Sequence, residues 1–336
     1  MTSASPCSLY VGVDIAATSF TAAWFGGHQP VAFPQTTDGY VAFQRRLLGE
    51  ARPPAAVHIV MEATGSYWVA LAVALHSAGY HVSVVNPRVI HNYAKTLPRR
   101  SKTDALDAHV IRQFAQERQP ADWTPPPDHY HALRQRLVAR DAIAEMRQQA
   151  RNQRHAVQQW PIQTPEVVAH FAAIEAELDG RIATLDAEIR QVLHAGAWAE
   201  SAMLLTSIPG IGANTAAWLL VATLNFELCP TPEAAVSYAG MSPLHYESGT
   251  SVWGRPHIGR GGHSRLRKAL YLASLSAARY NPVIHQFYQR LRAAGKPPKV
   301  AHCAAARKLL HIAWAVVTKR RAFDPHRGEQ RVEVPI

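Results

Sequence analysis

Residues 9–14 are Leu9-Tyr10-Val11-Gly12-Val13-Asp14, a short apolar run that ends in a carboxylate. A second apolar run, from Ala56 to Met61, leads in the same way into Glu62. A carboxylate beside a buried strand costs several kcal/mol unless it is paired or bound to a metal ion. The two runs therefore predict buried strands whose ends carry a cation-binding site.

The segments around these runs predict the rest of an α/β domain. Residues 20–25, 31–33 and 82–85 have the pattern of further strands, and residues 39–48 and 67–77 have the pattern of helices. Three antiparallel strands followed by alternating helices and strands predict the ribonuclease-H-like arrangement, an α/β sheet with mixed strand pairing.

A pair of acids, Asp104 and Asp107, lies three residues apart at the start of the next predicted helix, with Thr103 as its N-cap. They share one face of the first turn, where the helix dipole stabilises negative charge. With Asp14 and Glu62 they could converge on one or two Mg²⁺ ions, which prefer carboxylate oxygens. Each acid alone is better explained as a turn, strand-end or helix-start residue. The four together, in these elements and this order, predict a magnesium site.

The charge of the chain favours a polyanionic partner. The 336 residues carry a net charge of +11. Between Ser248 and Phe323 there is no Asp or Glu, but there are fifteen Lys or Arg residues. Basic helix surfaces are usually just solvated, yet so many cations without an acid favour nucleic acid as the partner. The candidate contacts in this acid-free tract are Arg255, Arg260, Arg265, Arg267 and Lys268.

The sequence has no pattern of export or of a membrane span. No signal-peptide pattern and no apolar run of about 18 residues occurs. The three cysteines fit no zinc-ligand spacing, even with eighteen histidines available, and indicate reduced thiols. We therefore expect a cytoplasmic protein with no membrane partner.

The run Pro125-Pro126-Pro127 marks the first domain boundary. We predict a catalytic domain over 1–124, a helical coiled-coil arm over 125–200 that is a hairpin or a dimerisation arm, a mainly α C-terminal domain over 201–325 and a tail over 326–336. The second arm helix has apolar residues at the spacings of 3 and 4 that are typical of a heptad seam. They are Phe171, Ile174, Leu178, Ile182, Leu185, Ile189 and Val192.

The C-terminal domain contains a turn motif, Ile208-Pro209-Gly210-Ile211-Gly212, before an apolar helix. It resembles a helix-hairpin-helix, in which Gly210 and Gly212 would let backbone N–H groups meet a phosphate. A tight interhelical turn without a ligand explains the motif equally well. Some tryptophans could stack on bases, although core packing better explains Trp314. The four considered are Trp123, Trp160, Trp253 and Trp314.

The motifs occur in the order of a known family. They are Asp14, Glu-Ala-Thr-Gly at 62–65, Lys-Thr-Asp-Ala-Leu-Asp-Ala at 102–108, the turn at 208–212 and Tyr-Glu-Ser-Gly-Thr-Ser at 246–251. With them the chain resembles, from about Tyr10 to Phe323, the IS110 family of insertion-sequence transposases. These are DEDD-type recombinases that work with a bridge RNA.

The resemblance implies functions for four acids and one serine. Asp14, Glu62, Asp104 and Asp107 correspond to the magnesium-binding acids of a RuvC-like domain, and Ser248 corresponds to the nucleophile of a transposase domain. It also implies double-stranded donor and target DNA, and a structured guide RNA that pairs with both. The active sites would be composite, within a homo-dimer or tetramer.

Ser248 alone would be an ordinary loop serine, and composition does not exclude its neighbours Thr250 and Ser251. A serine hydroxyl needs a base or a metal ion to act as a nucleophile. Gly249 lets a phosphate approach closely, and the arginines that follow could neutralise developing charge.

Other functions remain open at this stage. A RuvC-like hydrolytic nuclease would use water in place of Ser248, and a structural nucleic-acid-binding protein would carry vestigial acids. A sugar kinase or actin-like ATPase would share the sheet. It would need a second glycine-rich nucleotide loop, but the glycines at 259–262 follow no predicted strand.

Overall fold

A computed structural model describes residues 7–24, 29–50, 52–97, 104–244, 247–248, 252–253, 257–259 and 261–326. Side chains are described within these ranges except at residues 104–106, 244, 247–248 and 252–253. The chain divides into two compact units, Met1–Pro125 and Pro126–Ile336, called unit 1 and unit 2 below. The triple proline falls at this division.

Unit 1 is built around the strands β1 (Leu9–Ile15), β2 (Ser19–Trp24), β3 (Val31–Pro34), β4 (Val57–Glu62) and β5 (His81–Val85). They form one sheet in the order β3-β2-β1-β4-β5. β2 is antiparallel to β1 and β3, whereas β4 is parallel to β1 and β5. The predicted α/β class with mixed strand pairing is confirmed.

The described helices of unit 1 cover both faces of the sheet. They are α1 (Thr37–Leu48), α2 (Trp68–Ser77), α3 (Pro87–Ala94) and α4 (Asp104–Arg118), with a short 3-10 helix at Pro54–Ala56. Phe43 of α1 and Leu75 of α2 are buried in the core on one face. Ile90 of α3 and Ile111 of α4 are buried in the core on the other face.

Unit 2 is mainly helical, as predicted. Its described helices are α5 (Asp128–Val157), α6 (Pro165–Ala195), α7 (Ala199–Thr206), α8 (Ala213–Thr223), α9 (Pro232–Tyr238), α10 (Ser264–Tyr280), α11 (Pro282–Ala293) and α12 (Pro298–Thr318). Four two-residue strands precede α10: β6 (Pro243–Leu244), β7 (Glu247–Ser248), β8 (Val252–Trp253) and β9 (His257–Ile258). Helix α8 is central, because every residue from 216 to 223 is buried.

Helices α5 and α6 form an antiparallel hairpin, which we call the arm. Arg136 of α5 lies 2.9 Å from Glu188 of α6, and further along Arg151 lies 3.3 Å from Glu175. Arginines of α5 thus face acids of α6 along the hairpin, which fixes its register. The base of the arm, including Leu133, belongs to the core of unit 2.

The predicted heptad seam of α6 is confirmed near the base of the arm and wrong near its tip. Ile182 and Ile189 are buried, but Ile174 is 47% exposed. The buried position there is taken by Glu175, whose carboxylate lies within 3.3 Å of Arg151 and 3.0 Å of Arg154. A buried carboxylate needs such partners, because desolvation disfavours an unpaired charge.

Helix α12 is the described helix that length and composition alone would allow to span a bilayer. Its 21 residues have a mean hydropathy of 1.2 over the best window, and 44% of that window is buried. Ala305, Leu309 and Ala313 of this helix lie in the core of unit 2. The apolar character of α12 is accounted for by this packing.

Candidate active site

Asp14 and Glu62 lie at the ends of adjacent parallel strands. β1 and β4 are aligned so that Val13 is the partner of Met61, which places each acid one residue further along its strand. Successive side chains of a strand alternate between faces, and Val13 and Met61 belong to the core on the α1–α2 face. Asp14 and Glu62 therefore project from the opposite face, on which α3 and α4 pack.

Helix α4 contacts β1 at Gly12. A Cβ atom at Gly12 would lie 2.1 Å from the backbone nitrogen of Arg112 and 2.3 Å from the carbonyl oxygen of Ala108. The backbone of the helix thus touches the strand two residues before Asp14. Asp107 is the chain neighbour of Ala108, so the glycine fixes the first turns of α4 to the strand that carries Asp14.

The acidic start of α4 lies at the same edge of the sheet as Asp14 and Glu62. After α4 the chain lies at the amino ends of the parallel strands, where Asp122 Oδ2 lies 2.6 Å from His81 Nδ1 at the start of β5. There Ser83 Oγ also donates to the carbonyl oxygen of Ala121 over 2.8 Å. Because α4 ends near the start of the parallel strands, it begins near their carboxyl ends.

A tight turn after β4 holds Glu62. Thr64 Oγ1 donates to Glu62 Oε1 over 3.4 Å, and the Thr64 backbone N–H donates to the Glu62 carbonyl over 2.8 Å. Gly65 has a φ of +57°, a conformation that favours glycine. The Glu-Ala-Thr-Gly motif is therefore the turn that ends this strand.

Gln35 connects the loops that follow the two acidic strands, a role that the sequence analysis missed. Its Nε2 donates to the carbonyls of Ala16 and Tyr67, over 3.5 Å and 3.3 Å. Tyr40 in turn donates its hydroxyl hydrogen to Gln35 Oε1 over 2.9 Å. No sequence signal marks Gln35, because its partners are distant in the chain.

Asp14, Glu62 and Asp107 carry the carboxylate oxygens that a divalent cation prefers. Among the side chains that the structure describes, which include Asp14, Glu62 and Asp107, no three His, Cys, Asp or Glu residues are grouped as metal ligands. The side chain of Asp104 lies outside that set. Carboxylate oxygens are the ligands that a hard divalent cation prefers. That Asp14, Glu62, Asp104 and Asp107 together form its ligand set is a proposal.

Ser248 lies near the tip of a β-hairpin in unit 2. The outer ladder pairs β6 with β9, and the inner ladder pairs β7 with β8, with Ser248 opposite Val252. The side chain of Ser248, residues 249–251, Arg255 and Arg260 lie outside the described part of the chain. The backbone thus places Ser248 at the last residue of β7, opposite the first residue of β8.

The base of this hairpin is closed by glycines and Arg267. Gly240 and Gly262 have φ angles of +69° and +80°, and a Cβ at Gly240 would lie 2.1 Å from the carbonyl oxygen of Gly261. Arg267 Nη1 donates to the Gly261 carbonyl over 2.7 Å and to the Ala239 carbonyl over 3.3 Å. These bonds give Arg267 a structural role, and its binding to nucleic acid stays a prediction.

Two other cations of the acid-free tract have acidic partners that are distant in the chain. Arg265 lies 3.5 Å from Asp141, and Lys268 lies 3.2 Å from Glu145, both acids of α5. Burial raises the pKa of Asp141, and the two cations oppose that rise. Helix α5 thus supplies acidic partners for these two positions, and their contact with nucleic acid stays a prediction.

The turn at 208–212 packs against α10. Gly210 has a φ of +102°, and a Cβ there would lie 2.5 Å from the Cβ of Ala277. Asn281 Nδ2 also donates to the Pro209 carbonyl over 3.3 Å. Gly212 differs, because it is exposed at the start of α8 and a Cβ there would meet no described atom within 4 Å. Packing thus explains Gly210 without a phosphate.

The tryptophans divide into packed and exposed residues. Trp123 contacts Trp68 edge to face at 5.5 Å, and Trp314 Nε1 donates to the Cys229 carbonyl over 2.8 Å. Trp160 is 68% exposed at the tip of the arm, and the side chain of Trp253 lies outside the described set. Core packing is the better explanation for Trp314, as expected.

Two stretches of the chain match family models. Residues 11–159 match a model described as a transposase of the DEDD and IS110 type. Residues 202–289 match a model described as transposase, IS116/IS110/IS902 family. The first covers the candidate acids and the second covers Ser248.

Similar proteins are found along nearly the whole chain. A pilin gene-inverting protein of Moraxella bovis is 32% identical over 320 residues, which cover 94% of this chain and 97% of the relative. The protein of the same name from Moraxella lacunata has the same identity and coverage. The uncharacterized 43.6 kDa protein of insertion element IS110 from Streptomyces coelicolor is 35% identical over 133 residues, 40% of this chain and 32% of that protein.

Proposed function

We propose that this chain, which belongs to the IS116/IS110/IS902 family of transposases, cuts and rejoins DNA through attack of the Ser248 hydroxyl on a scissile phosphate. Its activity as a DNA transposase or recombinase follows from the family. The observation that carries the proposal is the backbone contact of α4 with Gly12, which places the start of α4 near the carboxyl ends of β1 and β4.

Unit 1 is the metal-dependent half of this mechanism. The strand order, with β2 antiparallel and β4 and β5 parallel to β1, supports a ribonuclease-H-like, RuvC-like domain. Asp14, Glu62, Asp104 and Asp107 would hold one or two Mg²⁺ ions. When bound, such ions supply Lewis acidity to the attacking and leaving oxygens. The acids supply the negative charge that attracts the cation. Asp107 is held in place because the backbone of its neighbour Ala108 contacts Gly12.

Unit 2 supplies the nucleophile. Ser248 Oγ forms a bond to phosphorus while the bond from phosphorus to a deoxyribose oxygen breaks. The hydroxyl proton passes to a base, and the departing oxygen takes up a proton. The serine–DNA phosphodiester keeps the energy of the broken bond, so a DNA hydroxyl can displace Ser248 and rejoin the strand without ATP.

Rejoining is favoured by the names of the relatives. A pilin gene-inverting protein, by its name, inverts a gene, and inversion needs cut ends to be joined again. The net charge of +11 and the family support donor and target DNA duplexes as substrates. A bridge RNA as guide, and composite sites in a homo-dimer or tetramer, are further parts of the proposal.

The rival function is that of a RuvC-like nuclease, which would activate water instead of serine. The two are separated by incubating labelled donor-end DNA with the protein and running the products with and without protease. A recombinase gives label that is retained with protein and enters the gel only after proteolysis. Ends that migrate freely before proteolysis would support the nuclease. A binding protein without catalysis would leave the DNA uncut.

A further inference from the structure

Phe287 of α11 lies against two cations. The guanidinium carbon of Arg290 lies 5.2 Å from the ring centroid, and Lys308 Nζ of α12 lies 4.7 Å from it. The ring is partly buried against the core of unit 2. A fixed aromatic face attracts both cations and holds them near each other. We call these three residues the Phe287 patch.

The cations of the Phe287 patch have no acidic partner among the described residues. None of the ion pairs seen among the described residues joins Arg290 or Lys308 to a carboxylate within 4.0 Å. Arg265 and Lys268 differ from them, because each has an acid of α5 as its partner. The patch thus keeps positive charge of the kind that α5 neutralises at Arg265 and Lys268.

The two charges also disfavour each other. The pKa of Lys308 is lowered, first by burial and then by the nearby Arg290. The attraction of one ring does not remove this repulsion. An anion between them would, because guanidinium and ammonium groups both donate charge-assisted hydrogen bonds to phosphate oxygens.

We propose that Phe287, Arg290 and Lys308 form a binding site for a backbone phosphate of the DNA substrate. The ring holds the cations at the surface, and the phosphate completes the charge balance that no described acid supplies. The site deepens the proposed function, because it names where unit 2 binds its DNA. It does not depend on Ser248 being the nucleophile.

The test measures DNA affinity as a function of salt. Wild-type and variant proteins are titrated with donor-end duplex between about 50 and 200 mM salt, in a chelator that withholds the divalent cation that attack by serine or by water would need. Arg290→Met and Lys308→Met are each expected to lower the slope of log affinity against log salt by about one. Arg290→Lys and Lys308→Arg keep the charge and are expected to keep the slope.

The control variant is Arg181→Met, and acetylation of Lys308 reports DNA contact directly. Arg181→Met removes an exposed arginine that is paired with Glu177 on the arm, and it is expected to leave the slope unchanged. Acetylation of Lys308 by a water-soluble ester, measured by mass spectrometry, is expected to fall several-fold when duplex DNA is added. Unchanged slopes in both methionine variants, or a loss of affinity for RNA alone, would overturn the site.

Discussion

Ser248→Ala is expected to abolish the protein-linked DNA end and to leave DNA binding intact. The hydroxyl is the attacking group in the proposed reaction, so its removal leaves no atom to form the phosphodiester with the protein. The loss of strand exchange should be at least about 10³-fold, as for removal of other catalytic nucleophiles. The measurement is the yield of protease-sensitive label on donor-end DNA.

Thr250→Ala and Ser251→Ala are the matched controls, since each removes a hydroxyl within three residues of Ser248 in the sequence. They should retain most of the covalent product. If Ser248→Ala still cuts DNA and gives unattached ends at the wild-type rate, water is the nucleophile. If Thr250→Ala or Ser251→Ala alone abolishes the adduct, the nucleophile has been assigned to the wrong residue.

Asp14→Asn is expected to abolish cutting while the fold of unit 1 is kept. The amide has the shape of the carboxylate but lacks its charge, so it no longer favours a cation at the end of β1. We expect a loss of strand cleavage of about 10³-fold or more. DNA affinity should stay the same or rise slightly, because a negative charge has been removed from a DNA-binding protein.

The control for this variant is Asp38→Asn, which removes an exposed acid from the first turn of α1. It should cleave DNA at the wild-type rate. Strand exchange that is indifferent to Asp14→Asn would favour a structural nucleic-acid-binding role for unit 1.

Gly12→Ala is expected to destabilise the packing of α4 on β1, although it adds only one methyl group. In Gly12→Ala the new Cβ would lie 2.1 Å from the backbone of Arg112, and a backbone cannot rotate away as a side chain can. The helix must move off β1, at a cost of roughly 3 kcal/mol by analogy with overpacked cores. Hydrogen exchange in β1 and α4 is expected to become faster.

Gly180→Ala serves as the comparison for Gly12→Ala. Gly180 lies in α6, and a Cβ there would meet no described atom within 4 Å. Alanine in a helix interior should stabilise the arm by about 1 kcal/mol. Equal exchange rates in wild-type and Gly12→Ala protein would show that α4 does not depend on this contact.

Strands β1 and β4 could be predicted because each is a short apolar run that leads into a carboxylate. The ends of β1 and β4 agree with the sequence analysis to within about one residue. Helix α3 was missed, because its eight residues are fewer than the roughly ten over which an apolar period predicts a helix. Its start is set instead by Asn86, which caps it, and by Pro87 in its first turn.

Contacts between distant parts of the chain account for what the sequence could not predict. Two cations of the acid-free tract have acidic partners in α5, more than a hundred residues away, as in the pair of Lys268 with Glu145. The structural role of Arg267 could not be predicted, because it bonds carbonyls that only the folded chain brings together. The packing of α4 against Gly12 could not be predicted either, because no local sequence pattern indicates it.

The central claim is that acids of unit 1 and one hydroxyl of unit 2 act in the same reaction. It is tested most directly by trapping protein on a nicked donor-end duplex, digesting the complex and identifying the nucleotide-bearing peptide by mass spectrometry. The nucleotide is predicted on Ser248 in wild-type protein, with no adduct in Asp14→Asn. An adduct on any other residue, or an undiminished Ser248 adduct in Asp14→Asn, would contradict the claim.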